Sequence, residues 1–268
     1  MIVLIFAISG LLLGSFFNVL IWRLPRNESV VFPSSHCPNC NRKIKPWENI
    51  PVFSYILLRG KCAGCKTRIS IVYPIVEITT ALFAVLLWYV VIPHDNITWT
   101  NGITISLQAL FLILMIPVAV IDFKHQIIPD PISISLLVIS FAVSFVPGST
   151  TPLQSLLGIL SGGGVLWVIG KIGTIILKKG DAMGGGDIKL MAAAGALWGP
   201  EIALMSIVFG ALLGSLAGIP MLLFKRVEVD HRIPFGPFLG AGIWVSVTAG
   251  FFILSSYISF VDNLFTLK

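Results

Sequence analysis

Two acidic residues stand where acids are costly. The stretch AMGGGDIKLM, residues 182–191, sets three glycines directly before Asp187 and then returns to apolar sequence. PVAVIDFKHQIIPD, residues 117–130, carries Asp122 at the end of one apolar run and Asp130 at the start of the next. An ionised side chain within a membrane span costs about 2.5–3.5 kcal/mol by insertion scales, so each one demands a partner or a function. Two close carboxylates cannot readily both ionise and instead share a proton. One then acts as base on a bridging water while the other donates a hydrogen bond to the attacked carbonyl. That is peptide hydrolysis by an aspartyl dyad, expected here of Asp122 and Asp187.

Gly184, Gly185 and Gly186 lack a β-carbon, so a substrate backbone can approach theirs and pair with it as an added strand. The competing reading is a turn whose aspartate caps the N-terminus of the next helix. Asp130, placed to cap a helix, Glu77 and Lys189 are supporting candidates. Glu77 is read either as an orienting or proton-accepting group or as a helix glutamate paired with a nearby Lys or Arg. Glu201 is expected to be solvated at an outer turn, and Asp181 to be neutralised by Lys178 or Lys179.

All four cysteines fall in CPNC and CAGC, pairing Cys37 with Cys40 and Cys62 with Cys65 across 21 intervening residues. Two such turns can place four thiolates tetrahedrally round one Zn²⁺. The segment is expected on the cytoplasmic side, where disulfides are disfavoured. With four protein ligands the metal has no open position and is structural. His36 abuts Cys37 but is read as a surface residue.

The elements that must position these groups are membrane helices. The chain is 56% hydrophobic and 11% charged, with mean hydropathy +0.95, far outside soluble usage. Ile2 to Trp22 has no charge over 21 residues, about the length that crosses 30 Å of hydrocarbon. Its basic residues, Arg23 and Arg26, follow the apolar core, so it reads as a retained first span with its N-terminus outside. Further apolar runs near 70–92, 103–121, 131–147, 153–177, 188–199, 202–224 and 234–260 give about eight spans. The run 188–199 is the shortest. With eight crossings, every one of the 18 Lys and Arg except Lys268 falls on or near one face, which is cytoplasmic by the positive-inside rule.

The expected fold is therefore an all-α polytopic membrane protein with a small cytoplasmic zinc-binding loop module between its first two helices. Its expected parts are a first helix (1–22), the module (23–69), a second helix and outer loop (70–102), and a six-helix catalytic domain (103–268), with both termini outside. The net charge of +6 is a topology signal; no nucleic-acid-binding fold is visible. His94, His125 and His231 have no ligand-like spacing, and His125 is read as facing water.

Taken together, GSFFNVLIWRLP, SHCPNC, PWENIPVFSYILLRGKCAGC, YPIVEITTA, IDFKHQIIPD, GGGDIKLMAAAGALWG and IPFGPFLGAG resemble the type IV prepilin peptidase family, the leader peptidases and N-methyltransferases of pilus and type II secretion systems. The resemblance implies that Asp122 and Asp187 form the catalytic dyad. It implies pilin or pseudopilin precursors as substrates, cleaved after glycine at the cytoplasmic face of a prokaryotic inner membrane. It further implies methylation of the new N-terminus by S-adenosylmethionine. No Rossmann-type glycine loop is present, so a methyl-donor site would involve the 23–69 module. The rival readings are a proton-coupled transporter and a presenilin-like intramembrane protease.

Overall fold

The computed structural model describes residues 1–92, 98–177, 183–223, 234–253 and 255. Lys178, Lys179, Asp181, His94 and His231, and the end of the expected last span, lie outside the described residues. The described residues form helices and turns without strands. They fall into two compact units: residues 1–95 with 113–121, and residues 96–112 with 122–268.

The first unit is built on two apolar helices of spanning length, α1 (Ile2–Arg23) and α3 (Val72–Val90). Gly10 and Gly14, four residues apart on α1, let the backbones touch. A β-carbon on either would lie 2.6 Å from the Cα of Ala81 or Glu77, the close contact that small residues allow between membrane helices. Asn18 donates to the Tyr73 carbonyl at 3.1 Å. Between the helices lie short turns and α2 (Phe53–Leu57). Buried Arg23 ties the start of that segment down, donating to the carbonyls of Ser29 (2.9 Å) and Pro33 (2.6 Å).

The second unit holds the ends of α4 (Trp99–His125) together with α5 (Asp130–Val143), α6 (Pro152–Ile159), α7 (Val165–Leu177), α8 (Gly185–Trp198), α9 (Pro200–Leu223) and α10 (Gly236–Val245). Sequence signals set the helix starts. Thr98 with Asn101 and Thr151 with Gln154 form reciprocal capping boxes, each satisfying amides that the first turn leaves free. A π-helical turn, Leu160–Gly164, joins α6 to α7.

At the centre is α8, with Leu190 through Leu197 all buried. It packs against α5, α6, the π-turn and α9. At its crossing with α6, a β-carbon on Gly158 would lie 1.9 Å from the Gly195 carbonyl oxygen. Ser155 and Thr150 each donate at 2.8 Å to the carbonyls of Ala196 and Leu197 at its C-terminal end.

Outward faces are apolar, as with Leu4, Ile8, Leu12 and Phe16 on α1 and Ile169, Ile172 and Ile176 on α7. A helical chain with its apolar side chains outside is built for lipid. Among the described residues, six helices are long and apolar enough to cross a membrane. Two of the expected eight fall short: α5 and α8 have 14 residues each, about 21 Å at 1.5 Å per residue.

Candidate active site and cysteine cluster

The last turn of α4 carries Asp122, which is 5% exposed. The helix stops at Gln126, whose left-handed φ of 54° ends it while its amide still bonds to the Asp122 carbonyl at 2.8 Å. The Asp122 side chain points the other way. Its Oδ2 accepts the amide of Gly236 at 2.8 Å, the first residue of α10, where free amides and the helix dipole favour an anion. Gly236 admits nothing larger: a β-carbon there would sit 2.8 Å from that oxygen.

Asp187 lies in the first turn of α8, its amide bonded to the Gly184 carbonyl at 3.2 Å. Here the structure corrects the expected glycine loop. Gly184 is the N-cap, and Gly185 and Gly186 are already helical, because a helix beginning at 185 brings Gly186 flat against its neighbour. A β-carbon on Gly186 would lie 2.7 Å from Cβ of Ile128. The same Ile128 reaches Gly236 with its Cδ1, 3.2 Å from where a β-carbon would stand. One buried isoleucine thus joins the glycine beside Asp187 to the glycine that holds Asp122. The two carboxylates are close enough for their charges to interact.

Asp130 and Lys189 pair with each other, Oδ1 to Nζ at 2.6 Å, with half-exposed side chains. The pair links the first turn of α5 to the first turn of α8. His125 is exposed, and so is Glu201, as expected of both.

The four cysteines come together in the first unit, their sulfurs all within 4.8 Å of one another. Two turns built alike present them. Cys37 donates its amide to Arg42 O (3.0 Å) and Cys62 to Thr67 O (2.9 Å); Asn41 bonds back to Cys37 O (2.9 Å) and Lys66 to Cys62 O (3.1 Å). Asn41 and Lys66 share a left-handed φ, 53° and 61°. Amides of Cys65 and Gly64 turned toward the sulfur lower the pKa of Cys62. The Thr67 hydroxyl and amide, with the Asn39 side chain, bring Cys65 down to about 5. Thiolates are what a metal binds. A tetrahedral metal with 2.3 Å bonds to sulfur needs sulfurs about 3.8 Å apart, and Cys37 and Cys65 stand at 3.8 Å. The donor set therefore fits a metal ion of the zinc type.

Glu77, on α3, is 7% exposed. Among the described residues it makes no ion pair, contrary to one expectation. Its Oε2 accepts the amide of Val52 at 2.7 Å, and Ser15 lines the same cavity. Val52 has φ 61° and ψ −49°, with Phe53 N bonded to Pro51 O at 2.6 Å. This is the strained form of the γ-turn, unusual for a β-branched residue.

The sequence reading missed Gly236 and Ile128. PFGP marks a helix start, but no spacing rule connects Gly236 to an aspartate 114 residues away.

These elements make a polytopic helical membrane protein with a candidate metal-ligand cluster, and comparison with known proteins supplies the family. Residues 8–91 match the bacterial peptidase A24 N-terminal domain, and residues 109–219 match the type IV leader peptidase family. The chain is 32% identical to the prepilin leader peptidase/N-methyltransferase of Pseudomonas aeruginosa, over 94% of this chain and 91% of that protein. It is 34% identical to the protein so named in Neisseria gonorrhoeae (91% and 89% covered) and 34% to that of Bacillus subtilis (94% and 96%). No solved structure matches it significantly. The chain belongs to the type IV leader peptidase family and is a peptidase.

Proposed function

We propose that the chain cleaves the leader of type IV prepilin-like precursors after glycine, using Asp122 and Asp187, and methylates the N-terminus it exposes. What supports the first half best is that one isoleucine, Ile128, packs against both Gly236, which binds Asp122, and Gly186, next to Asp187. The names of the similar proteins support the second. Family membership favours neither the transporter nor the presenilin-like reading. On this proposal residues 103–268 form the peptidase part and residues 23–69 belong to the methyltransferase part. The site faces the cytoplasm, where the Lys and Arg residues concentrate.

In cleavage, the ionised member of the pair takes a proton from a water whose oxygen attacks the scissile carbonyl. The protonated member donates to the carbonyl oxygen, giving a neutral gem-diol. A proton then passes to the amine nitrogen as the C–N bond breaks, and the pair returns to its single-proton state. Gly236 holds Asp122 in place throughout. The exposed, extended backbone of Gly184 is open to an extended substrate segment.

Cys37, Cys40, Cys62 and Cys65 would hold Zn²⁺, which supplies a four-way crosslink to a module with little apolar core. S-adenosylmethionine would supply the methyl group. The test is incubation of the full chain with a glycine-leader prepilin and S-adenosylmethionine, followed by mass analysis of the product. Loss of the leader with a 14 Da gain on the new N-terminus is expected; an intact precursor would overturn the reading.

A further inference from the structure

Three adjoining cavities run through the first unit. One of about 340 Å³ opens between apolar Leu12 and Phe16 of α1 and Val30 and Val31. A smaller one of about 110 Å³ shares Ser15, Arg23 and Asn49 with it and reaches Glu77. The third, about 320 Å³, shares Glu77, Tyr73, Asn49 and His36 with the second and ends at Cys37 and Cys62. Its size is that of a small-molecule site. Glu77 therefore stands where a passage with an apolar mouth meets a chamber with polar and aromatic walls.

The charges of the lining sort themselves. Glu48 is bound to Arg42 at 2.7 Å and to the Lys45 amide at 3.1 Å. Arg23 is spent on two carbonyls. Glu77 has a backbone amide but, among the described residues, no cation. A buried carboxylate without a counter-ion is costly, and here it lines two of the three cavities. The guest that suits it carries positive charge.

We propose that Glu77 binds the α-ammonium of a membrane-anchored peptide that enters by the apolar mouth, and takes a proton from it, while a sulfonium methyl donor occupies the chamber on the cysteine side. This rests on the methyltransferase half of the function proposed above. The ammonium gives one proton to the Glu77 carboxylate. The freed nitrogen lone pair forms the N–C bond as the S–CH₃ bond breaks, and that electron pair stays on sulfur, leaving a neutral thioether. The product is a secondary ammonium, and Glu77 passes its proton to water.

The test uses the full chain with a leader-free peptide and labelled S-adenosylmethionine, reading methyl transfer from pH 6 to 9.5. Cleavage of intact precursor is read in parallel. In Glu77→Gln an oxygen remains to accept the Val52 amide, so the turn keeps its clamp while the base is gone. An α-amine of pKa about 8 is only about 1% free at pH 6. Glu77→Gln should therefore methylate about 100-fold more slowly than wild type at pH 6, rise about tenfold per pH unit, and approach wild type above pH 9. Its cleavage should be unchanged.

The other ionisable groups along the cavities are Arg23, Glu28, Arg42, Glu48, Arg68 and His36, with Tyr55, Tyr73 and the thiols. Imidazole is the side chain that ordinarily changes charge between pH 5 and 8, so His36→Asn is the control and should lack the rising profile. A Glu77→Gln rate equal to wild type, or reduced by one factor at every pH, overturns the inference. Intact cleavage without methylation in the wild type would instead overturn the methyltransferase reading and the inference with it.

Discussion

The amide of Gly236 donates to the carboxylate of Asp122 at 2.8 Å, across 114 positions of sequence. The contact fixes one oxygen of the acid against the start of α10 and leaves the other oxygen without a hydrogen bond among the described residues. Gly236→Ala would place a methyl 2.8 Å from Oδ2 and push the acid aside. A displacement near 1 Å costs on the order of 100-fold in rate, about 2.7 kcal/mol. We expect that loss in kcat for prepilin cleavage with KM little changed; an unaffected kcat would mean that Gly236 does not position the acid.

Asp122→Asn and Asp187→Asn should each reduce cleavage by at least about 10³-fold, and the double variant should be no worse than either, because residues acting as one unit are not additive. Zinc content should stay at the wild-type level in all three. Full activity in either single variant would remove the dyad.

The same pair sets the expected pH dependence. On the proposed dyad, cleavage needs one proton on two carboxylates. As pH falls both become protonated and the base is lost; as pH rises both ionise and the donor is lost. The kcat/KM profile should be bell-shaped with unit slopes on both limbs, measured with a substrate lacking groups that titrate in the range. A single-limbed profile would contradict a shared proton.

Asp130→Asn should retain cleavage within about fivefold. Its partner Lys189 is half-exposed, and exposed ion pairs contribute about 0–1 kcal/mol, so thermal stability should change little. A loss as large as that of Asp122→Asn would make Asp130 a third essential acid.

Replacing Cys37 and Cys40 together by serine should abolish stoichiometric zinc, read by elemental analysis of the purified protein. Methylation should fall more than cleavage. Acidification should release the metal, since protons compete for thiolates.

The acids and cysteines were legible because a charge in an apolar run and a repeated Cys-x-x-Cys are local signals. Eight spans could be drawn from hydropathy, but among the described residues six helices reach spanning length. The central one, α8, gave the weakest signal for a physical reason: it is wrapped by other helices, so alanine and glycine serve it better than leucine. The likeness of the two cysteine turns was hidden as well. SHCPNCNRKI and GKCAGCKTRI, 25 residues apart, share only the cysteines and a final isoleucine. Their common shape lies in backbone hydrogen bonds, which side-chain identity hardly constrains. The Gly236 contact and the role of Ile128 depend on tertiary packing that no periodicity encodes.

The brevity of α8 bears on biogenesis. A segment of 14 residues, rich in alanine and glycine and bearing Asp187 and Lys189 near one end, has little affinity of its own for hydrocarbon. It settles only when neighbouring helices have assembled around it. On the dyad proposed above, Asp187 would then reach its counterpart only as a late event of maturation.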